Sequence, residues 1–148
     1  NLLQQFGGFH DACLKELKYI SGEYVDEKLS MMAVNSLRTL SVVFQRQYEN
    51  PRAIEMVFEG LVRMNVAPSI PNNDGIIFNA YFDILDGLVY WSEGYDFDAA
   101  KIDTDPDYRQ RTWIAAEKAK WRVADKYIGN KEILSTVCRQ NRCEMCAN

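Results

Sequence analysis

The stretch that decides the fold is residues 54–66, which read IEMVFEGLVRMNV. Apolar side chains recur at alternate positions, and polar side chains such as Glu55, Glu59 and Arg63 fall between them. This period of two predicts a β-strand with one buried face. Gly60 lies in the middle of that face and predicts a bulge or a close neighbour. The side chains predicted to face the core are Ile54, Met56, Phe58, Val62, Met64 and Val66.

A second alternating run precedes this strand. Residues 40–47 read LSVVFQRQ and predict a shorter strand, whose core-facing side chains are Leu40, Val42 and Phe44. The stretch between the two runs, residues 48–52, contains Asn and Pro and has the composition of a turn. The two strands are therefore predicted to form a hairpin.

Another hairpin follows a loop at residues 67–75. Residues 76–84 alternate, residues 88–91 form the return strand, and Asp86-Gly87 supplies the two positive-φ positions of a tight turn. The predicted core joins both hairpins to two later tryptophans: Leu40, Val42, Phe44, Ile54, Met56, Phe58, Ile76, Phe78, Phe82, Leu88, Tyr90, Trp113 and Trp121.

Two segments, residues 11–20 and 113–123, fit more than one pattern. The first has leucines at helical spacing behind Asp11, a residue that caps helices, but it also fits a strand entering the sheet. The second contains strong helix formers, yet its apolar residues also alternate. We predict strands for both, because a lone helix would place either Trp113 or Trp121 on the wrong side.

The sequence thus predicts a mainly β fold, with α+β as the alternative. We expect about six antiparallel strands in a strongly curved sheet or a two-layer sandwich, with short helices at Leu2–Phe6 and around Ile133–Gln140. A length of 148 residues fits a single domain with a full hydrophobic core. We divide it into a core at 9–124, an acidic loop at 93–109 and a cysteine-bearing tail at 125–148.

Net charge and cysteine content restrict the classes of partner and the cellular compartment that we expect. Seventeen basic and 21 acidic residues give a net charge of −4, the opposite of what a general nucleic-acid binder needs. No stretch approaches the length of a membrane span, and the N-terminus does not read as a signal peptide. The four cysteines do not form the spread framework of a small secreted domain. We therefore expect a cytoplasmic protein with reduced thiols and no nucleic-acid or membrane partner.

Residues that could carry catalysis are few. His10 is the only histidine, which excludes a three-histidine zinc site within one chain. We interpret His10 and Asp11 as hydrogen-bonding to nearby backbone, with catalysis or ligand contact as the alternative. Phosphate-binding and nucleophile-elbow motifs are absent from the sequence. We predict a non-enzymatic protein with no cofactor.

Three cysteines, Cys138, Cys143 and Cys146, lie within nine residues and form half of a zinc-binding pattern that Cys13 could complete. A second Cys-x-x-Cys pair is lacking, so we predict no metal and free thiols instead. Elemental analysis of freshly reduced protein tests this. About one zinc per chain, lost on Cys143→Ser with Cys146→Ser, would contradict it.

An acidic stretch is the main charge feature. The segment from Glu93 to Asp107 contains six acids and one base, Lys101, and so carries −5. Acids interleaved with aromatic residues on a long loop are typical of a surface that binds a basic partner. A solvated linker is the alternative, and a calcium loop lacks the required Gly and Glu. The predicted partner-binding residues are Glu93, Tyr95, Asp96, Phe97, Asp98, Asp103, Asp105, Asp107 and Tyr108.

The order of these features resembles a group of small bacterial proteins. The shared pattern is the entry Phe9-His10-Asp11-Ala12, the strands at Leu40–Phe44 and Ile54–Gly60, an Asp-Gly hairpin and a final Trp-bearing strand. It covers roughly Phe6 to Arg122 and includes neither the acidic loop nor the cysteine tail. Some members of the group are assigned as immunity proteins of polymorphic toxin systems.

The resemblance implies an antiparallel β protein that binds and blocks a cognate toxin without catalysis, and a basic nuclease-type toxin suits the acidic loop. Two other functions stay open. One is a small-ligand binder or small enzyme that uses a concave sheet lined by aromatic residues, namely Tyr81, Tyr90, Trp91 and Trp113. The other is a structural homodimer that pairs through an exposed sheet edge.

Overall fold

The computed structural model describes residues 1–33, 37–72 and 74–133. A short helix α1 (Leu2–Gln5) comes first, and the strands that follow are β1 (Ala12–Ile20), β2 (Tyr24–Val25), β3 (Met31–Met32), β4 (Thr39–Arg46), β5 (Ala53–Asn65), β6 (Ala80–Leu85), β7 (Leu88–Glu93) and β8 (Trp113–Val123). Short 3-10 helices lie at Gly7–Phe9, Ala99–Lys101, Pro106–Arg109 and Asp125–Tyr127.

Six strands form one antiparallel sheet in the order β1-β4-β5-β8-β7-β6, while β2 and β3 form a separate small hairpin. The sheet does not close. Its two edges nevertheless approach each other, because the Ile77 amide, just before β6, donates to the Ala12 carbonyl at 2.7 Å. The predicted mainly β fold with one strongly curved sheet is confirmed.

Both ambiguous segments are strands, as predicted. Each one carries an irregularity that mimics helical spacing. In β1 the pairing register shifts between Leu14 and Glu16, so that Leu14 and Leu17 both pack against the core. In β8, Ala116 and Ala119 both belong to the core although they are three positions apart.

The bulge or close neighbour predicted at Gly60 is confirmed. Gly60 has a φ of 63°, and a Cβ there would lie 2.6 Å from the Glu117 carboxyl carbon. The β5–β8 register shifts just afterwards, between Leu61 and Arg63. Beyond this point the predicted alternation is wrong: Leu61 is buried, whereas Val62, Met64 and Val66 are exposed.

The core lies on the inner side of the curled sheet. The rings of Phe6, Phe9, Phe44 and Trp91 pack together there with centroid separations of 4.9–5.7 Å. The strands β4 and β7, which lie next to the two edge strands, and the N-terminal segment therefore share one aromatic cluster. The predicted residues that are fully buried here are Leu40, Val42, Phe44, Ile54, Met56 and Phe58, while Phe82 and Trp121 pack at the margin.

Five predicted core positions are corrected. Ile76 and Phe78 are exposed, because β6 begins only at Ala80 and Ile77 takes the buried position instead. Trp113 is buried and Tyr90 is half-buried, but both lie on the outer face of the sheet. Leu88 is half-buried in the strand β7.

The predicted N-terminal helix corresponds to α1, whose Asn1 side chain accepts from the Leu3 amide. The chain after β8 runs back over the outer face, where the Gln45 amide donates to the Tyr127 carbonyl at 2.9 Å. The helix predicted around residues 133–140 lies, apart from Ile133, outside the described residues. In the described part of the chain, no helix is long and apolar enough to cross a membrane.

Candidate functional site

The acidic loop connects β7 to β8 and is built from two capped 3-10 turns. The Asp98 carboxylate accepts from the Ala100 amide at 3.0 Å, and the Asp105 carboxylate accepts from the Asp107 amide at 3.0 Å. Pro106 follows Asp105 at the first position of its turn, where a missing N–H costs nothing. Two of the acids therefore also shape the backbone of the loop, as aspartate caps commonly do.

A second apolar cluster holds this loop against the outer face of the sheet. We call it the outer cluster. Its buried members are Phe97, Tyr108, Trp113 and Ala115, and Tyr81, Tyr90, Ala99 and Ile102 pack around them. The Phe97 ring lies 5.2 Å from that of Tyr81 and 5.4 Å from that of Tyr90. The loop is therefore packed onto β6, β7 and β8, which the alternative of a solvated linker does not allow.

Hydrogen bonds fix Tyr108 within this cluster. Its hydroxyl accepts from the Asp98 amide at 2.6 Å, and its carbonyl accepts from the Trp113 indole at 3.1 Å. Phe97 and Tyr108 are only 7% and 3% exposed. They were predicted to contact a partner, and this is corrected: burial leaves their rings to anchor the loop.

Two arginines outside the acidic segment pair with its carboxylates. Arg111 lies 2.8 Å from Asp96, and Arg63, on the outer face of β5, lies 2.8 Å from Asp103. Hydrogen bonds from these guanidinium groups lower the pKa of both aspartates. Both aspartates are exposed, so the pairs stabilise the fold only slightly. They reduce the local charge of the segment from −5 to −3.

Six side chains of the loop form its outward surface. Tyr95 is 75% exposed, Asp98 and Asp107 are exposed, and Asp105 is half-buried. We call the set Tyr95, Asp96, Asp98, Asp103, Asp105 and Asp107 the acidic surface. One exposed aromatic ring thus lies among carboxylates that a packed scaffold holds in place.

Glu93 does not belong to the acidic surface. It lies two residues after Trp91 in β7, and its carboxylate accepts from the Thr112 amide at 3.3 Å. Together with Trp91 and Thr112 it lines a cavity of about 230 Å³ at one end of the sheet. Glu93 thus lies at the base of the loop and is half-buried, and its place in the partner-binding surface stays a prediction.

His10 and Asp11 make local contacts. The His10 Nδ1 atom is 2.8 Å from the Phe78 carbonyl, and its Nε2 atom is 3.6 Å from Asp11. Asp11 accepts from the Tyr48 hydroxyl at 3.0 Å. The contact to backbone agrees with the structural interpretation of His10. Its ring is 55% exposed, so it is not enclosed in a site.

The four aromatic residues proposed to line one concave sheet lie on two faces. Tyr81, Tyr90 and Trp113 belong to the outer cluster beneath the loop, whereas Trp91 lies in the inner core. Side chains of neighbouring positions in a strand point to opposite faces, which separates Tyr90 from Trp91. The prediction that these four residues line one aromatic binding surface is therefore wrong.

In the described ranges, no three His, Cys, Asp or Glu side chains are grouped to hold a metal ion. Cys138, Cys143 and Cys146 lie outside those ranges, so the prediction about their metal binding stays a prediction. Cys13 has a free thiol in β1. Comparison with known proteins adds no relative: no family model, curated protein or solved structure matches the chain.

Sequence reasoning missed the two arginines that pair with the loop. Arg111 offers a signal, because it lies only four positions after the last acid of the segment. Arg63 offers none locally, since 40 residues separate it from Asp103. Only the pairing of β5 with β8 brings that arginine beneath the loop.

Proposed function

We propose that this chain is a non-enzymatic protein-binding module whose acidic surface docks a basic protein. The observation that carries the proposal is the packing of the acidic loop on the outer cluster, with Tyr95 left 75% exposed among carboxylates. A surface that is already ordered loses little conformational entropy on binding. Carboxylates on such a surface steer a basic partner during association, and an exposed tyrosine supplies a side chain type common at binding hot spots.

The specific role that we propose is neutralisation of a cognate bacterial toxin in the cytoplasm, as the resemblance implies. A nuclease-type toxin meets the charge requirement, because a protein that binds nucleic acid carries a basic surface for the phosphates. An acidic surface can occupy that basic surface in place of the substrate. Pairing of two copies through a sheet edge stays a separate prediction, which light scattering after size exclusion tests.

The test uses the protein encoded by the adjacent reading frame as the partner. The variant Asp98→Asn, Asp105→Asn and Asp107→Asn removes three charges from the acidic surface. Asparagine still caps helices and turns, so the loop keeps its conformation. We expect association to slow by about tenfold at low ionic strength and to approach the parent rate at high salt, because screening removes steering.

A matched control removes the same charge elsewhere. The variant Glu23→Gln, Glu27→Gln and Glu49→Gln changes three exposed carboxylates outside the loop. It should associate at the parent rate, apart from a small effect of net charge. Equal slowing of both variants would show that only net charge matters. Unchanged rates for the loop variant at every ionic strength would place the binding surface elsewhere.

A further inference from the structure

The small hairpin of β2 and β3 continues from the β1–β4 pair. The Arg38 amide donates to the Ser21 carbonyl at 3.1 Å, one position beyond the last paired residues of β1 and β4. The hairpin turns after β2, where the Asp26 carboxylate accepts from two backbone amides at 2.8 and 2.9 Å. The hairpin thus has a defined backbone, and we call residues 19–33 and 37–38 the arm.

Exposed apolar side chains are concentrated on the arm. Eight large apolar residues described there are 37–86% exposed, and none of them belongs to the inner core or to the outer cluster. They are Tyr19, Ile20, Tyr24, Val25, Leu29, Met31, Met32 and Leu37. At about 180 Å² for a fully exposed residue of this size, they present roughly 800 Å² together. The largest apolar patch of a typical monomer is about 300–600 Å², so the arm has the character of a binding surface.

The apolar side chains lie on both faces of the hairpin. Tyr24 pairs with Met32 and Val25 pairs with Met31, so each face carries one of these two pairs. Leu29, in the turn, is 86% exposed. A partner with a flat surface covers one face and leaves the other in water. Covering the whole arm therefore takes a partner that encloses it.

Area and charge favour a second copy of this chain as that partner. Two arms that cover each other remove about 1,600 Å² from water, which is the standard size of a stable interface. Residues 23–28 contain three acids and one base, so an anionic lipid surface would repel the arm. The basic protein of the proposed function is matched by the acidic surface, whereas the apolar arm offers it no complementary charge.

We propose that the arm is the interface of a homodimer in which two arms clasp each other about a twofold axis. Each arm lies with one face against the other arm and with its opposite face against the other copy's sheet. A twofold contact uses the same surface on both copies and closes without leaving a free apolar face. Met31 and Met32 suit this contact, because thioether side chains adapt to irregular surfaces. The interface is separate from the acidic surface, so the proposal does not depend on the proposed function.

The test measures the mass of the full chain by light scattering after size exclusion. Interfaces of this size have dissociation constants of about 1 µM or below, so the chain should be a dimer at about 100 µM. The variant Leu29→Asp with Met31→Asp places two charges on the most exposed side chains of the arm. We expect it to raise the dissociation constant at least about a hundredfold and to give a monomer.

A matched variant separates the arm from the edge of the sheet. Phe78→Asp with Ile84→Asp adds the same charge at two side chains that are 65% and 66% exposed, in and just before the edge strand β6. This variant should remain a dimer. Equal circular dichroism spectra of parent and variants show that the fold is intact. A dimer that the β6 variant disrupts and the arm variant does not would overturn the proposal in favour of edge pairing.

Hydrogen–deuterium exchange of residues 24–32 reports whether the arm is covered. Exchange there should be slow in the parent dimer and at least about tenfold faster in the monomeric arm variant, because dissociation returns the hairpin to water. A parent chain that is monomeric at about 100 µM would overturn the proposal. Slow exchange of the arm in such a monomer would show that another part of the same chain covers it.

Discussion

Replacing Phe97 by alanine tests whether the acidic loop is anchored as the structure shows. The Phe97 ring is 7% exposed and contacts the rings of Tyr81, Tyr90 and Tyr108 at 5.2–5.6 Å. The substitution removes this buried surface and leaves a cavity between the loop and the sheet. Both effects lower the free energy of unfolding.

The expected size of the effect is about 3 kcal/mol, the lower end of the usual range for Phe→Ala at buried sites. The lower end applies because the loop above the outer cluster can move inward and fill part of the cavity. With a urea m-value of about 2 kcal/mol/M, this loss corresponds to a fall in the unfolding midpoint of about 1.5 M. Urea unfolding followed by tryptophan fluorescence measures it.

The neighbouring Tyr95 gives a matched control within the same loop. Its ring is 75% exposed, so Tyr95→Ala should change the free energy of unfolding by no more than about 0.5 kcal/mol. The two variants remove aromatic rings two positions apart and differ chiefly in burial. Equal midpoints for Phe97→Ala and Tyr95→Ala would refute the reasoning that the outer cluster holds the loop.

Three further perturbations probe the sheet and the loop by thermal or urea unfolding. Phe58→Ala should cost about 3–5 kcal/mol, because the side chain is fully buried; an unchanged melting curve would show a wrong register. Gly60→Ala should lower the free energy of unfolding by about 1–2 kcal/mol, because φ at this position is 63°. The added Cβ would also clash with Glu117, so combining Gly60→Ala with Glu117→Ala should remove the clash but not the cost of the backbone conformation. The hydrogen bond from Arg111 lowers the pKa of Asp96 from 3.8, so its contribution is present above that pH and lost as pH falls through the lower folded value. Asp96→Asn should therefore flatten the acid limb of the stability profile, and an unchanged acid limb would contradict the pairing.

Local pattern was sufficient for the six strands of the main sheet and for the tight turn at Asp86-Gly87, whereas the small hairpin of β2 and β3 was not predicted. It was misleading where a strand is irregular. Leu14 and Leu17 have helical spacing because the register of β1 shifts between them. A bulge adds one residue to a period of two, and the resulting spacing of three is also that of a helix. Sequence alone therefore does not distinguish a bulged strand from a helix.

The start of β6 shows a second limit of prediction from local sequence patterns. Ile76 and Ile77 are equally apolar, and the alternating pattern assigned the first one to the core. The structure buries Ile77, because its amide pairs with Ala12 at the opposite edge of the sheet. That contact joins positions 65 residues apart, so no local pattern in the chain encodes it.

The same limit applies to the candidate site. The acidic composition correctly predicted a loop at the surface, because six carboxylates in fifteen residues are too costly to bury unpaired. The anchoring of Phe97 was not predictable, since its neighbours Tyr81 and Tyr90 come from two strands earlier in the chain. Aromatic residues in an acidic loop fit a binding surface and an anchor equally well. Only their burial in the folded chain separates Tyr95 from Phe97.

Hydrogen–deuterium exchange of the chain with and without the protein encoded by the adjacent reading frame tests the proposed function most directly. Slower exchange in residues 95–107 on complex formation, with the small hairpin at residues 24–32 unchanged, is the result that the proposal predicts. Protection confined to that hairpin, or to any surface away from the acidic loop, would contradict it.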